Sequence, residues 1–136
     1  MSRVFILMLT VLLFSGCKEA IEEKKENMIL DAMTDGRWVV TNYAKGSINA
    51  TPSFSDYAFQ FHRDRTVDAL KSSAFEKKGL WQENANNLTI QATFTNVNEP
   101  LILLNGTWQI TKTSWTSVDA FQIINGEQHV LRLEKQ

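Results

Sequence analysis

The residues able to do chemistry are few. Cys17 is the single cysteine of a 136-residue chain, so no intrachain disulfide can form. A lone thiol can still accept a covalent group. The two histidines, His62 and His129, stand in no metal-ligand spacing, and there is no second cysteine to help them. His62 reads as an exposed turn residue and His129 as a strand residue near the end of the chain. Asp64, Asp68 and Glu83 are carboxylates that a fold could bring together, but chance proximity in a small domain would account for that. Serines are plentiful, yet no Gly-x-Ser-x-Gly elbow frames one. No phosphate loop or dinucleotide glycine pattern is present in the sequence. The expectation is a protein that is not an enzyme and has no metal and no cofactor. A formal charge of -1 supplies no basic field for a phosphate backbone, which argues against nucleic acid as a partner.

The surroundings of Cys17 give its thiol a use. Arg3 supplies a positive start, and Val4 to Phe14 is apolar except for Thr10. Ser15 and Gly16 are small, as a signal peptidase requires of the extended chain it grips. The apolar run is too short for a membrane-spanning helix, which needs about 20 residues. Phe14-Ser15-Gly16-Cys17 resembles the lipoprotein precursor pattern, with Phe14 where Leu is usual. That resemblance implies removal of residues 1–16 and a lipid on Cys17: a diacylglyceryl group and often a third chain, such as palmitate. One acyl chain binds a membrane marginally, whereas two or more anchor firmly. Lys18 follows the cysteine where Asp would be a retention signal, which resembles an outer-membrane address. The expected partner is therefore the cell outer membrane, reached through Cys17, on its periplasmic or its surface side.

About 120 residues of the 136 would remain, enough for one domain with a real core. Residues 17–27 include the charged run KEAIEEKKEN and read as a solvated tether, disordered or loosely helical. Residues 28–136 read as the domain. Ile29, Leu30 and Met33 recur at helical spacing, so a short helix is expected before Thr34-Asp35-Gly36 breaks it. This helix could plug one end of the sheet that follows.

From Arg37 onward the pattern is that of strands. Trp38 and Val40 alternate with Val39, Thr41 and Tyr43. Tyr57, Phe59 and Phe61 share one face of the next strand, which turns at His62 to Arg65 and returns over Thr66 to Leu70. Ala44 to Ser55 reads as a long loop, and Lys71 to Lys78 as a polar connection before a strand at Leu80 to Gln82. Leu88, Ile90, Ala92 and Phe94 alternate with four polar residues. Leu101 to Leu104 is an apolar run that fits either a strand or a helical turn. Strands follow at Thr107 to Thr111, from Trp115 to Phe121, and at His129 to Leu133. The last has Val130 and Arg132 on one face, and His129, Leu131 and Leu133 on the other. The expected fold is all-β: an antiparallel up-and-down barrel of about eight strands with a short N-terminal helix.

Gly36-x-Trp38, the Tyr57-x-Phe59-x-Phe61 strand and Gly106-x-Trp108 follow the lipoprotein start in an order that resembles the lipocalin-like lipoproteins of Bacteroidota. The resemblance implies a barrel closed between its chain ends. Gly36 and Trp38 would open the first strand, and Arg132 of the last strand would lie over the Trp38 ring. Two functions remain open. Tyr57, Phe59, Phe61, Ile90 and Phe94 could wall a pocket for a small hydrophobic ligand. Alternatively the aromatics fill the interior, and the barrel is an accessory lipoprotein that docks a protein partner. A pocket of about 300 Å³ or more separates the two.

Overall fold

The computed structural model describes residue 21 and residues 23–136. The expected export segment, Cys17 and the start of the expected tether lie outside the described residues. Helix α1 covers residues 23–34, so the described part of the charged segment is continuous with the expected short helix. Its sticky side is Leu30 and Met33, both buried. Thr34 Oγ1 donates to the Leu30 carbonyl at 2.6 Å, and Gly36 ends the turn at φ +76°, a left-handed conformation that suits glycine.

The rest of the chain is sheet. The strands are β1 (Trp38–Lys45), β2 (Ile48–Asn49), β3 (Tyr57–Phe61), β4 (Thr66–Lys71), β5 (Ala74–Asn84), β6 (Thr89–Thr93), β7 (Gly106–Thr113), β8 (Ser117–Ile124) and β9 (Glu127–Lys135). All pairings are antiparallel, and β3 to β9 follow one another as neighbours. Pairing of β1 with β9, from Trp38 opposite Lys135 to Lys45 opposite His129, closes eight strands into a barrel. The two-residue β2 is a hairpin partner of β1 outside that ring. Closure satisfies backbone groups that an open sheet would leave at its edges.

The weakest seam is β1 with β3, which share the single register pair Trp38–Phe59. Beyond it the loop supplies the missing partners. Ala50 N donates to the Tyr43 carbonyl at 2.8 Å, and Tyr43 N donates to Thr51 Oγ1 at 2.9 Å. The expected long loop is therefore a structured lid: the β2 hairpin, then a 3-10 turn at Thr51–Phe54 with Phe54 buried.

Other expectations shift in instructive ways. Lys71 to Lys78 is no connection: Ser72 and Ser73, at φ +49° and +66°, make a tight turn, and β5 then runs for 11 residues. Leu80 to Gln82 is the middle of that strand. Leu88 sits in a turn at φ +52°, so the inward alternation of β6 begins at Ile90, which is half-buried. Trp115 belongs to the β7–β8 turn, and β8 starts at Ser117. Leu101–Leu104 is a 3-10 turn with Leu101 and Leu104 buried.

Gly79 shows how closely the wall is packed. A Cβ there would lie 2.7 Å from two ring carbons of Phe94 and 2.9 Å from the Thr93 carbonyl oxygen. Gly79→Ala is expected to destabilise the fold by about 1–3 kcal/mol through overpacking. A Cβ at Gly36 meets nothing within 4 Å, so Gly36→Ala should cost only the strain of its φ, about 1–2 kcal/mol. Urea midpoints of the two variants check this; a Gly79→Ala midpoint equal to that of the parent would contradict the packing.

Candidate functional site

The interior is built by side chains that the barrel alternation sends inward. Phe59 and Phe61 come from β3, Val67 from β4, Ile90 and Ala92 from β6, Trp108 and Ile110 from β7. Val118, Ala120, Leu131 and Leu133 come from β8 and β9, and all of these border one cavity with Met33, Phe94 and Leu104. The volume of this cavity is about 50 Å³. Its lining is wholly apolar, so a water there would find no polar partner. A cavity that binds benzene measures about 150 Å³, and pockets for larger ligands begin near about 300 Å³. The space is a packing void on that scale.

Rings occupy the volume that a ligand would need. Phe61 meets Trp81 edge-on at 5.3 Å between centroids, and Phe59 meets Phe94 at 6.4 Å. Of the five candidate ligand residues, Phe59, Phe61, Ile90 and Phe94 border the cavity, while Tyr57 does not. Tyr57 stacks on Phe59 at 6.2 Å toward the barrel rim, where the Lys71 ammonium lies 5.7 Å from its ring.

Both ends are shut. At one end α1 lies across the mouth, with Met33 in the core. Trp38 is wholly buried there, and its Nε1 donates to the Met33 carbonyl at 3.0 Å. The cation over its ring is Lys135, whose Nζ sits 5.3 Å from the ring centroid and 3.3 Å from Asp35 Oδ2. This corrects the expected Trp38–Arg132 contact. Arg132 pairs across from Asn42, several residues up the seam, and its guanidinium binds Asp119 at 2.7 Å and Glu134 at 3.1 Å. The reason is parity: Leu131, Leu133 and Lys135 share the inward face of β9, and Arg132 has the opposite phase.

At the other end Phe54, Leu101 and Leu104 fold in from the two 3-10 turns. Tyr43 holds them together. Its ring stacks on Phe54 at 5.5 Å and meets Trp108 edge-on at 5.9 Å. Its hydroxyl donates to the Leu103 carbonyl at 2.8 Å and lies 2.8 Å from His129 Nδ1. Burial first, and the Glu99 charge second, push the Tyr43 hydroxyl up to about 12. No local pattern signals this polar knot. His129 pointed inward by period, but its partner sits at a position whose phase is reset by a bulge.

The carboxylates do not form an acid–base pair with one another. Asp64 accepts from Thr66 N at 3.0 Å and Thr66 Oγ1 at 2.6 Å, and so caps its own turn. Asp68 binds His62 at 2.8 Å and Lys78 at 3.2 Å. Glu83 is buried and ion-paired with Arg65, whose guanidinium also lies 5.5 Å above Trp81. Each partner ties its carboxylate to the barrel wall, and Glu83 Oε2 is buried without a hydrogen-bond partner among the described residues.

No family model matches this sequence, and no curated protein is similar to it. A solved structure does share its fold. A DUF4847 family protein from Bacteroides vulgatus ATCC 8482 superposes with a TM-score of 0.56 at 15% identity, over 79% of this chain and 99% of that one. An uncharacterized protein from Bacteroides eggerthii DSM 20697 gives a TM-score of 0.48 at 12% identity, over 74% of this chain and 98% of the other. At such identity the first likeness concerns the fold: a barrel of a kind found in Bacteroides.

Proposed function

We propose that this chain is a lipid-anchored accessory lipoprotein of the outer membrane, with a lipocalin-like barrel that is packed solid and works by its outer surface. The carrying observation is the interior: about 50 Å³ of apolar void, too small for a ligand. A protein partner on the outer face fits that geometry better than a molecule held inside. The anchor rests on the sequence, through Arg3, the apolar run, Ser15-Gly16 and Cys17. A carrier of a small hydrophobic ligand is the second reading. The wholly apolar wall of Phe59, Phe61, Ile90 and Phe94 favours it, but either plug would have to leave before a ligand could enter. The reading includes no catalytic role and no cofactor.

The experiment has two arms. In cells, globomycin should cause the precursor to accumulate, and Cys17→Ser should move the protein out of the membrane fraction completely. Unchanged processing and retention of the Ser variant would remove the anchor from this account. With purified protein, a fluorescent apolar probe such as N-phenylnaphthylamine should show no saturable binding. Saturable binding that Ala92→Phe abolishes, without unfolding, would restore the carrier reading.

A further inference from the structure

The barrel end crossed by α1 carries an outer groove of about 440 Å³. Met28, Ile29 and Ala32 of α1 form one side. Leu88 of the β5–β6 turn and Trp115 of the β7–β8 turn form the other, and Lys25 sits at the edge. Met28 is 50% exposed, Leu88 50%, Trp115 55%, and Ile21, which precedes α1, 56%. Helix residues advance by about 100°, so Lys25, Met28 and Ala32 make one stripe, while Glu23 and Glu26 project about 160° and 100° away from Lys25. The side chains of Glu23 and Glu26 are thus kept off the groove face.

The chain itself indicates what covers this face. Residues 17–20 lead into Ile21. They can reach at most about 14 Å. We propose that the groove end is a bilayer-docking face, seated in the headgroup–acyl boundary of the membrane that the lipid on Cys17 enters. The proposal rests on the lipid-anchored reading. A lipid on Cys17 holds Ile21 within that short reach of the bilayer, so this end meets the membrane before any other. Indole rings favour such an interface, being apolar in body with one polar N–H. Lys25 can lay its stem along the apolar stripe and place its ammonium among phosphates. A face of this kind sinks about 5–10 Å into the boundary region.

The test uses the full lipidated chain in phosphatidylethanolamine–phosphatidylglycerol vesicles whose acyl chains are brominated near the headgroup. Trp38, Trp81 and Trp108 are 0%, 2% and 3% exposed, so Trp115 supplies the accessible emission. The expected result is a blue shift and quenching by brominated lipid, both absent in Trp115→Phe and weakened in Met28→Ser/Leu88→Ser. These side chains are exposed enough that the barrel should be unchanged, which circular dichroism checks. If the protein co-floats with vesicles while Trp115 stays open to aqueous acrylamide and unquenched by lipid, docking is overturned and anchoring stands. If it fails to co-float, both fall. Shielding of Trp115 from both quenchers would mean that a protein covers the face, which overturns the bilayer as its occupant.

Discussion

Trp38→Ala is expected to lower the unfolding free energy by about 3–5 kcal/mol, a large part of the stability of a domain this size. The side chain is wholly buried where α1, β1, β3 and β9 meet, and no neighbour can collapse into the space of an indole. The change also strips the Met33 carbonyl of its donor, which helps hold the helical plug on the barrel. Urea unfolding followed by far-ultraviolet circular dichroism measures the loss. The cation over the ring is tested separately by double-mutant cycles. Trp38→Leu with Lys135→Met should show a coupling of about 0.5–2 kcal/mol. Trp38→Leu with Arg132→Met should show none, because Arg132 is engaged on the outer face with Asp119 and Glu134. Equal couplings in the two cycles would contradict the register of the β1–β9 seam.

The second large effect is alkaline. Tyr43 ionises near its ordinary value of 10 in the unfolded chain and at about 12 in the fold. Above pH 10 the unfolded state loses a proton that the folded state keeps, so stability falls as pH rises. The contribution is fully present below pH 10 and is lost by about pH 12. Two units correspond to about 3 kcal/mol. Tyr57, also raised to about 12 by burial and then by its hydrogen bond to Glu76, adds to the same limb. Tyr43→Phe should therefore flatten the fall between pH 10 and 12 without abolishing it. At pH 7 the same variant should lose about 1–3 kcal/mol, since the Leu103 carbonyl and His129 Nδ1 lose the hydroxyl. Denaturant unfolding at closely spaced pH values decides it. A variant curve parallel to the parent curve would mean that Tyr43 ionises freely in the folded protein.

The sequence by itself determined the strands and most of their turns. Tyr57, Phe59 and Phe61, or Leu131 and Leu133, show their inward face because alternation is local: each peptide unit flips the next side chain. Asn125-Gly126 was legible for the same reason, since both residues take positive φ, 52° and 79°, as a two-residue hairpin between β8 and β9 demands. The phase of Arg132, opposite to Leu131 and Leu133, was also in the sequence and argued against its contact with Trp38. The proposed lipid site at Cys17 was read from the sequence alone, because Cys17 lies outside the described residues.

What the tertiary structure decided is whatever depends on closure. The register of β1 against β9 shifts between Val40 and Asn42, so Thr41 is a bulge, and Tyr43 joins Trp38 and Val40 inside instead of facing solvent. Strict alternation put Tyr43 on the wrong side because a bulge answers to the curvature of the ring rather than to its own residue types. The plugs are similar. Nothing local distinguishes Phe54, Leu101 and Leu104, which fold inward, from Leu88 and Trp115, which stay out; each is an apolar residue in a turn, and the space left at each barrel mouth selects among them. The interior was the least legible of all. Its volume is the small difference between the width of eight strands and the bulk of facing rings from distant parts of the chain, and only their packing against one another makes it about 50 Å³ rather than a ligand pocket.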